Sequence, residues 1–252
     1  MKKILILSLS LLAFAFPAFA EDEEEEIVVS QGLNLIDVPT SQTLDKYVFH
    51  LDSRLYTDGG TQVQMSFGVH DRITLGTSFL IDGLIGNESK VRMRTPEINV
   101  KFRIADGGLY IPSFAIGYEG QGYFYDSDRK EYMEEKKGLY LVASYELLPL
   151  FFLNGGTNIS DFDDNHVFAF TGLSWKIKDN NSNDILALMA EYDNLFHHTT
   201  SYERLNAGIR FFITSEFSLD LAVRDINYSG TYKNGVKRHA ERILQIHYDT
   251  RF

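Results

Sequence analysis

The sequence predicts an all-β chain: a single antiparallel transmembrane β-barrel of about 12 strands that follows a cleaved signal peptide. Three observations predict it. Apolar and polar residues alternate with period two in segment after segment, which gives each strand one face for lipid and one for a lumen. The chain ends on such a segment, in which Leu244, Ile246, Tyr248, Thr250 and Phe252 alternate with Gln245, His247, Asp249 and Arg251. At the other end, Lys2 and Lys3 precede an apolar run from Ile4 to Phe16 and a small-x-small site at Ala18-Phe19-Ala20, the layout of a signal peptide. That run falls short of the roughly 20 apolar residues a spanning helix needs. No second stretch of that kind follows, so the mature chain crosses a membrane as strands or not at all.

The chain divides into a signal peptide (1–20), an acidic periplasmic segment (21–45) and the barrel (46–252). The first strand is expected over 46–56 and turns at Asp58-Gly59-Gly60. The second carries Val63, Met65, Phe67 and Val69 outward and turns at His70-Asp71. The third (Ile73 to Ile81) leads into a long loop, and the fourth alternates Ile98, Val100, Phe102 and Ile104 with Glu97, Asn99, Lys101 and Arg103. The fifth (110–118) precedes the longest loop, Glu119 to Lys137. The sixth (139–146) turns tightly at Leu148-Pro149. The remaining six are expected over 150–159, 166–177, 184–193, 202–213, 217–228 and 240–252. Two segments fit poorly: Asn154-Gly155-Gly156 interrupts its strand, and Ile185 to Tyr192 has the propensity of a short helix.

Tight and long connections mostly alternate, as between the periplasmic and extracellular ends of outer-membrane barrels. The exceptions are the short first connection and the longer turn from Lys178 to Asn183. A soluble barrel also alternates, with its apolar face inward, but twelve strands enclose a lumen wider than side chains readily fill. Here the polar face carries Arg54, Lys101, Arg103, Glu191, Arg204, Arg210, Asp220, Arg224 and Arg251, which suits a wet lumen. Aromatics near the strand ends predict two interfacial girdles, with Tyr47, Tyr145, Phe151, Trp175, Phe211, Phe217 and Phe252 on one side and Tyr56, Phe79, Tyr118, Tyr192 and Tyr228 on the other.

Composition excludes several chemistries. With no Cys the chain has no lipid-modified cysteine, no disulfide, no thiolate nucleophile and no Cys metal site. Its net charge of −11, near −13 once Lys2 and Lys3 are removed, disfavours nucleic acid as a partner. None of the seven His residues has a Ser two positions on, so the nucleophile pair of a barrel phospholipase is missing. Asp163-Asp164 and His197-His198 read as loop residues rather than as protease or metal sites, because adjacent His on a strand point to opposite faces. No catalytic residue, cofactor or metal is expected, and the sequence carries no signal of oligomeric state.

The stretches GLNLIDVPTSQTL (Gly32 to Leu44), LYTDGGTQVQMSFGVHDRITLGTSF (Leu55 to Phe79), PEINVKFRI (Pro96 to Ile104) and GYEGQGY (Gly117 to Tyr123) resemble the YjbH-type outer-membrane proteins. The resemblance covers the first half to two thirds of the mature chain. It implies a Gly…Pro-Thr segment ahead of a barrel and an association with exopolysaccharide export, assembly or surface retention. The terminal Tyr248 and Phe252 resemble the signal that such barrels present to the barrel-assembly machinery. The other partners implied are outer-membrane lipid, lipopolysaccharide and a polysaccharide.

The Gly…Pro-Thr segment also has a physical reading. Gly32 allows a turn, Leu33, Leu35, Ile36 and Val38 are too apolar for a free tail, and Pro39, followed by Thr40, disfavours a helix. Gly32 to Thr43 is thus expected either tucked against the periplasmic mouth or lumen as a plug, or as an extension of the first strand. The lumen charges have two readings as well. Arg54, Lys101, Arg103, Arg204, Arg210 and Arg224 form a track for anionic solutes or oligosaccharides in a small passive channel. Alternatively they pair with Asp52, Glu97, Glu146, Glu191, Asp220 and Glu241 and close the barrel, and this paired interior is the expectation. In the loops, Tyr123, Tyr125, Tyr132, Tyr228 and Tyr232 offer rings for sugar stacking, with Arg129, Lys130, Lys233, Lys237 and Arg238 for acidic substituents.

Overall fold

The computed structural model describes residues 31–56, 59–85, 91–126, 131–160, 167–196, 203–228, 230–232 and 235–252. The signal segment, the acidic run 21–26, Arg129, Lys130, Asp163, Asp164, His197, His198 and Lys233 lie outside the described residues. The regular elements described are strands: β1 (Val48–Tyr56), β2 (Gly60–His70), β3 (Ile73–Asp82), β4 (Arg92–Met93), β5 (Glu97–Ala105), β6 (Ser113–Glu119), β7 (Tyr123–Asp126) and β8 (Glu131–Glu134). They continue as β9 (Gly138–Leu148), β10 (Phe151–Ile159), β11 (Phe168–Lys178), β12 (Asp184–Leu195), β13 (Arg204–Phe212), β14 (Phe217–Arg224) and β15 (Glu241–Arg251).

Twelve of these form one antiparallel ring in chain order. β4 is a short addition beside β3, and β7 and β8 form a separate hairpin. The ring closes where β15 pairs with β1, from Val48↔Arg251 to Leu55↔Leu244. Closure leaves no strand edge, so every barrel strand has a partner on both sides, which is what a sheet needs to sit in hydrocarbon. The twelve expected strands are the twelve observed.

The two doubtful segments are strands for physical reasons. β10 runs through Asn154-Gly155-Gly156 because a Cβ on Gly156 would meet the Leu141 carbonyl at 2.1 Å and the Phe170 ring at 2.6 Å; glycine there gives the ring its place. β12 pairs residue by residue with β11 and β13, and those two ladders override its helical propensity. The longer turn after β11 is built on Asp179, whose carboxylate accepts the Asn181 and Asn183 N–H groups at 2.8 Å each.

The barrel is apolar outside and polar inside. On β5, Ile98, Phe102 and Ile104 are exposed while Asn99 and Lys101 are buried, and the same inversion holds on β14 for Leu221 and Val223 against Asp220 and Arg224. Most of the expected girdle aromatics have outward parity. Tyr56 does not: it shares the inward parity of His50, Asp52 and Arg54, and its ring lies across Gly60, where no side chain competes for the space. Glu146, expected in the lumen, is exposed at a turn and accepts the Leu150 N–H at 2.7 Å.

Phe252 is 79% exposed on the lipid-facing side, its ring 6.3 Å from Phe49 and 6.4 Å from Phe67. So exposed a ring adds little to the fold itself. Deleting Phe252 should therefore lower the amount of assembled barrel in cells far more than Phe252→Tyr does, while the purified chain refolds into detergent equally well without it. Equal assembly of all three forms in cells would exclude a terminal recognition signal.

Candidate functional site: the occupied lumen

Residues 31–45 run inside the ring rather than along it. Gly32 has φ +87°, a left-handed conformation that turns the chain inward at little steric cost. The segment then doubles back: Leu35 N–H donates to the Val38 carbonyl at 2.9 Å, Thr40 N–H to Leu33 at 3.0 Å, and the Thr40 hydroxyl to Gly32 at 2.6 Å. Pro39, which has no N–H to leave unpaired, bridges Asn34. This is the tucked arrangement and not an extension of β1.

At the tip of the turn, the successive N–H groups of Ile36, Asp37 and Val38 donate to the Glu191 carboxylate of β12 at 3.1, 2.8 and 3.0 Å. Such a concave run of N–H groups is an anion cradle, here filled by the barrel's own wall. The Asp37 carboxylate meets Arg54 Nη1 at 2.7 Å and Arg224 Nε at 2.6 Å. Burial pushes the Asp37 carboxyl up, but the Arg224 and Arg54 guanidiniums outweigh it and hold the group below its ordinary value. Asn206 donates to Glu191 at 2.6 Å and to Asp37 at 3.3 Å, bridging the two acids.

Apolar contacts fix the same turn. Leu35 and Ile36 pack with Met189, Ala222 and Ile243, while Val38 packs with Ala115, Tyr140, Val142 and Phe170. Gly172 and Gly208 make the room, since a Cβ on Gly172 would meet Leu35 Cδ1 at 2.5 Å and one on Gly208 would meet Ile36 Cδ1 at 3.2 Å. Carbonyls of the segment are capped from the wall: Lys101 Nζ donates to Leu33 at 2.6 Å, and Arg210 to Leu35 at 3.2 Å. Further along, Ser41 N–H donates to Ser144 at 2.9 Å and Leu44 N–H to Thr74 at 2.8 Å.

From the other end the loop between β6 and β9 folds inward, and the buried Glu134 on β8 binds Arg204 at 3.0 Å and Arg224 at 2.8 Å. Tyr123 on β7 is half-buried and turned to the lumen charges. Its hydroxyl accepts from Arg54 at 3.0 Å and its face lies 4.9 Å from the Arg224 guanidinium. Tyr232 donates to Glu134 at 2.9 Å, and Arg238 is buried against Asp225 at 2.6 Å. These three of the residues expected to meet sugars at the surface are committed to the interior, whereas Tyr228 is 56% exposed.

The structure thus gathers Arg54, Lys101, Glu191, Arg204, Arg210, Asp220 and Arg224 about the segment that carries Gly32, Leu35, Pro39 and Thr40. Arg210 and Asp220 form a two-point pair at 2.8 Å. Arg103 is displaced from this group: it reaches the Asp71 carbonyl at 3.0 Å and Asp106 at 3.1 Å, at the rim with the tight turns. Asp37, Asn206 and Glu134 complete the group without being among the residues expected from the sequence. Asp37 was the most findable, as one acid inside an otherwise apolar stretch. Beneath the segment a cavity of about 820 Å³ opens at the tight-turn end, lined by Gly32, Asn34, His50, Lys176, Arg210 and His247 among others.

A closed twelve-stranded ring with an apolar outer face and a polar, internally occupied lumen defines an outer-membrane β-barrel protein. No family model and no curated relative matches the chain. Among solved structures it is similar to the Acinetobacter baumannii outer membrane protein Omp33, at 10% identity and a TM-score of 0.45 over 82% of this chain and 99% of that one. It is similar to the NanC porin at 8% identity and a TM-score of 0.38, covering 81% and 99%. A mutant of the Rh. blastica porin is matched at 8% identity and a TM-score of 0.37, and there the chain spans 77% of its own length and 56% of the porin's.

Proposed function

We propose that the chain is a non-enzymatic outer-membrane barrel of a Gram-negative bacterium, exported through its signal segment and held shut at rest by residues 31–45. The observation that carries this reading is the seat of the turn at Ile36, Asp37 and Val38, where three N–H groups and one carboxylate are all matched by wall residues. A buried segment with its polar groups this fully paired is costly to displace. The intact protein reconstituted in planar bilayers should therefore be silent. Steady conductance from it would overturn the closed reading.

A second reading, a small passive channel for anionic solutes or oligosaccharides, draws on the convergence of Arg54, Arg204, Arg210 and Arg224. It requires the segment to leave. A role in export, assembly or surface retention of an extracellular polysaccharide rests on the YjbH-type stretches, and the closed lumen favours assembly or retention over passage. A deletion strain should lose surface polysaccharide or its attachment; amount and attachment equal to the parent's would rule the role out.

A further inference from the structure

The three side chains His50, Asp52 and His247 each present one donor atom, and these atoms lie within 4.8 Å of one another. Asp52 and His247 sit directly opposite each other across the β1–β15 pair, and His50 is two residues from Asp52 on the same inward face. They border the 820 Å³ cavity at the tight-turn end of the barrel.

The hydrogen bonds around the cluster have the form of a metal site's outer shell. Nδ1 of His50 is held by Asp249 at 2.7 Å, and Nε2 of His247 by Asp220 at 3.0 Å. Each imidazole is therefore oriented by a separate carboxylate through one nitrogen, leaving the other as a lone-pair donor, the arrangement typical of metal-ligating His. Asp220 is itself fixed by Arg210, and Asp52 accepts from Gln245. The free Nδ1 of His247 faces Asp52 Oδ2 at 3.6 Å. Two ligands of a tetrahedral Zn²⁺, each at about 2.0–2.2 Å, stand about 3.4 Å apart. The gap is that of two ligands with an ion between them, and it is too long for a direct hydrogen bond.

We infer that His50, Asp52 and His247 form a binding site for a divalent transition-metal ion of the Zn²⁺ class, with a fourth position open to the cavity. Two nitrogens and one oxygen suit Zn²⁺ rather than Ca²⁺ or Mg²⁺, which take oxygen ligands. The site joins the first and last barrel strands, so the ion clasps the seam at which the ring closes. Lys176, Lys178 and Arg210 border the same cavity; Lys176 is drawn to Asp184 at 2.6 Å and Arg210 to Asp220 at 2.8 Å, which keeps their charge off the ligands.

The test is titration of the purified, folded, metal-free protein in detergent with Zn²⁺ alone, and with Co²⁺ as a spectroscopic probe. Expected are one saturable equivalent per chain, a tetrahedral Co²⁺ visible spectrum, and loss of both in His50→Gln and His247→Gln. Asp249→Asn, which changes only the orienting carboxylate, should weaken binding about tenfold. On the unmutated protein, Zn²⁺ should protect His50 and His247 from diethyl pyrocarbonate, read by mass spectrometry, so the inference stands or falls even if a variant misfolds. No saturable equivalent, no protection of these two His, or full binding retained in the doubly substituted protein would overturn it; the last outcome would place the ion at His197-His198 or on the acidic run 21–26.

Discussion

Deleting residues 31–45 should turn a silent barrel into a conducting one. The deletion removes the three N–H donors to Glu191, the Asp37 carboxylate between Arg54 and Arg224, and the Leu35, Ile36 and Val38 side chains that fill the middle of the lumen. Water takes their place, because Glu191, Asn206, Arg54 and Arg224 border the vacated space beside its apolar seat. With Asp37 gone and the guanidiniums retained, the current should favour anions. A subtler variant separates loss of the segment from loss of the fold: Gly172→Leu places a side chain where Leu35 now sits, since even a Cβ there comes within 2.5 Å of it, and keeps every charged residue of the lumen in the chain. It should conduct as the deletion does. A deletion protein that is folded by its gel shift yet silent would mean that the segment is not what closes the barrel.

What could be read from the sequence followed the range of the interactions involved. Alternation is local, so all twelve strands and their outward faces were legible, down to Ile98, Val100, Phe102 and Ile104 on one strand. The Gly32 to Thr43 stretch was legible as something to be buried, because Leu35, Ile36 and Val38 before a Pro have no other reason to be apolar. Its seat was not, since it depends on which side chains of β12, β13 and β14 meet across the lumen, and that depends on barrel register. Tyr56 lies at a strand end, as a girdle residue would, but the face it takes is decided by parity. The inward turn of Tyr123 and Tyr232 was not legible, because loop membership says nothing about whether a loop folds into the lumen. The His50, Asp52 and His247 cluster was invisible for a related reason: its two strands are adjacent only after the ring closes, some 195 residues apart by the numbering of Asp52 and His247.

Arg224→Ala should be the most damaging single substitution in the lumen. Its guanidinium reaches Asp37 at 2.6 Å, Glu241 at 2.7 Å and Glu134 at 2.8 Å, with the side chain 2% exposed. It thus ties the N-terminal segment, the last barrel strand and the inward hairpin together through one carboxylate of each. Alanine removes a guanidinium from three buried carboxylates, of which Asp37 keeps Arg54 and Glu134 keeps Arg204, and breaking a buried pair costs about 3–5 kcal/mol. Lysine keeps the charge but lacks the planar fork that serves three acids at once, so Arg224→Lys should fall between. Arg103 is the internal control: its partner Asp106 is half exposed at the rim, and Arg103→Ala should cost about 1 kcal/mol or less. The measurement is urea unfolding of the refolded barrel in detergent, followed by tryptophan fluorescence from Trp175 and by the gel shift. If Arg224→Ala unfolds at the same urea concentration as Arg103→Ala, the segment, the seam strand and the hairpin are not held by this residue, and the closed lumen must rest on the apolar seat of Leu35, Ile36 and Val38 instead.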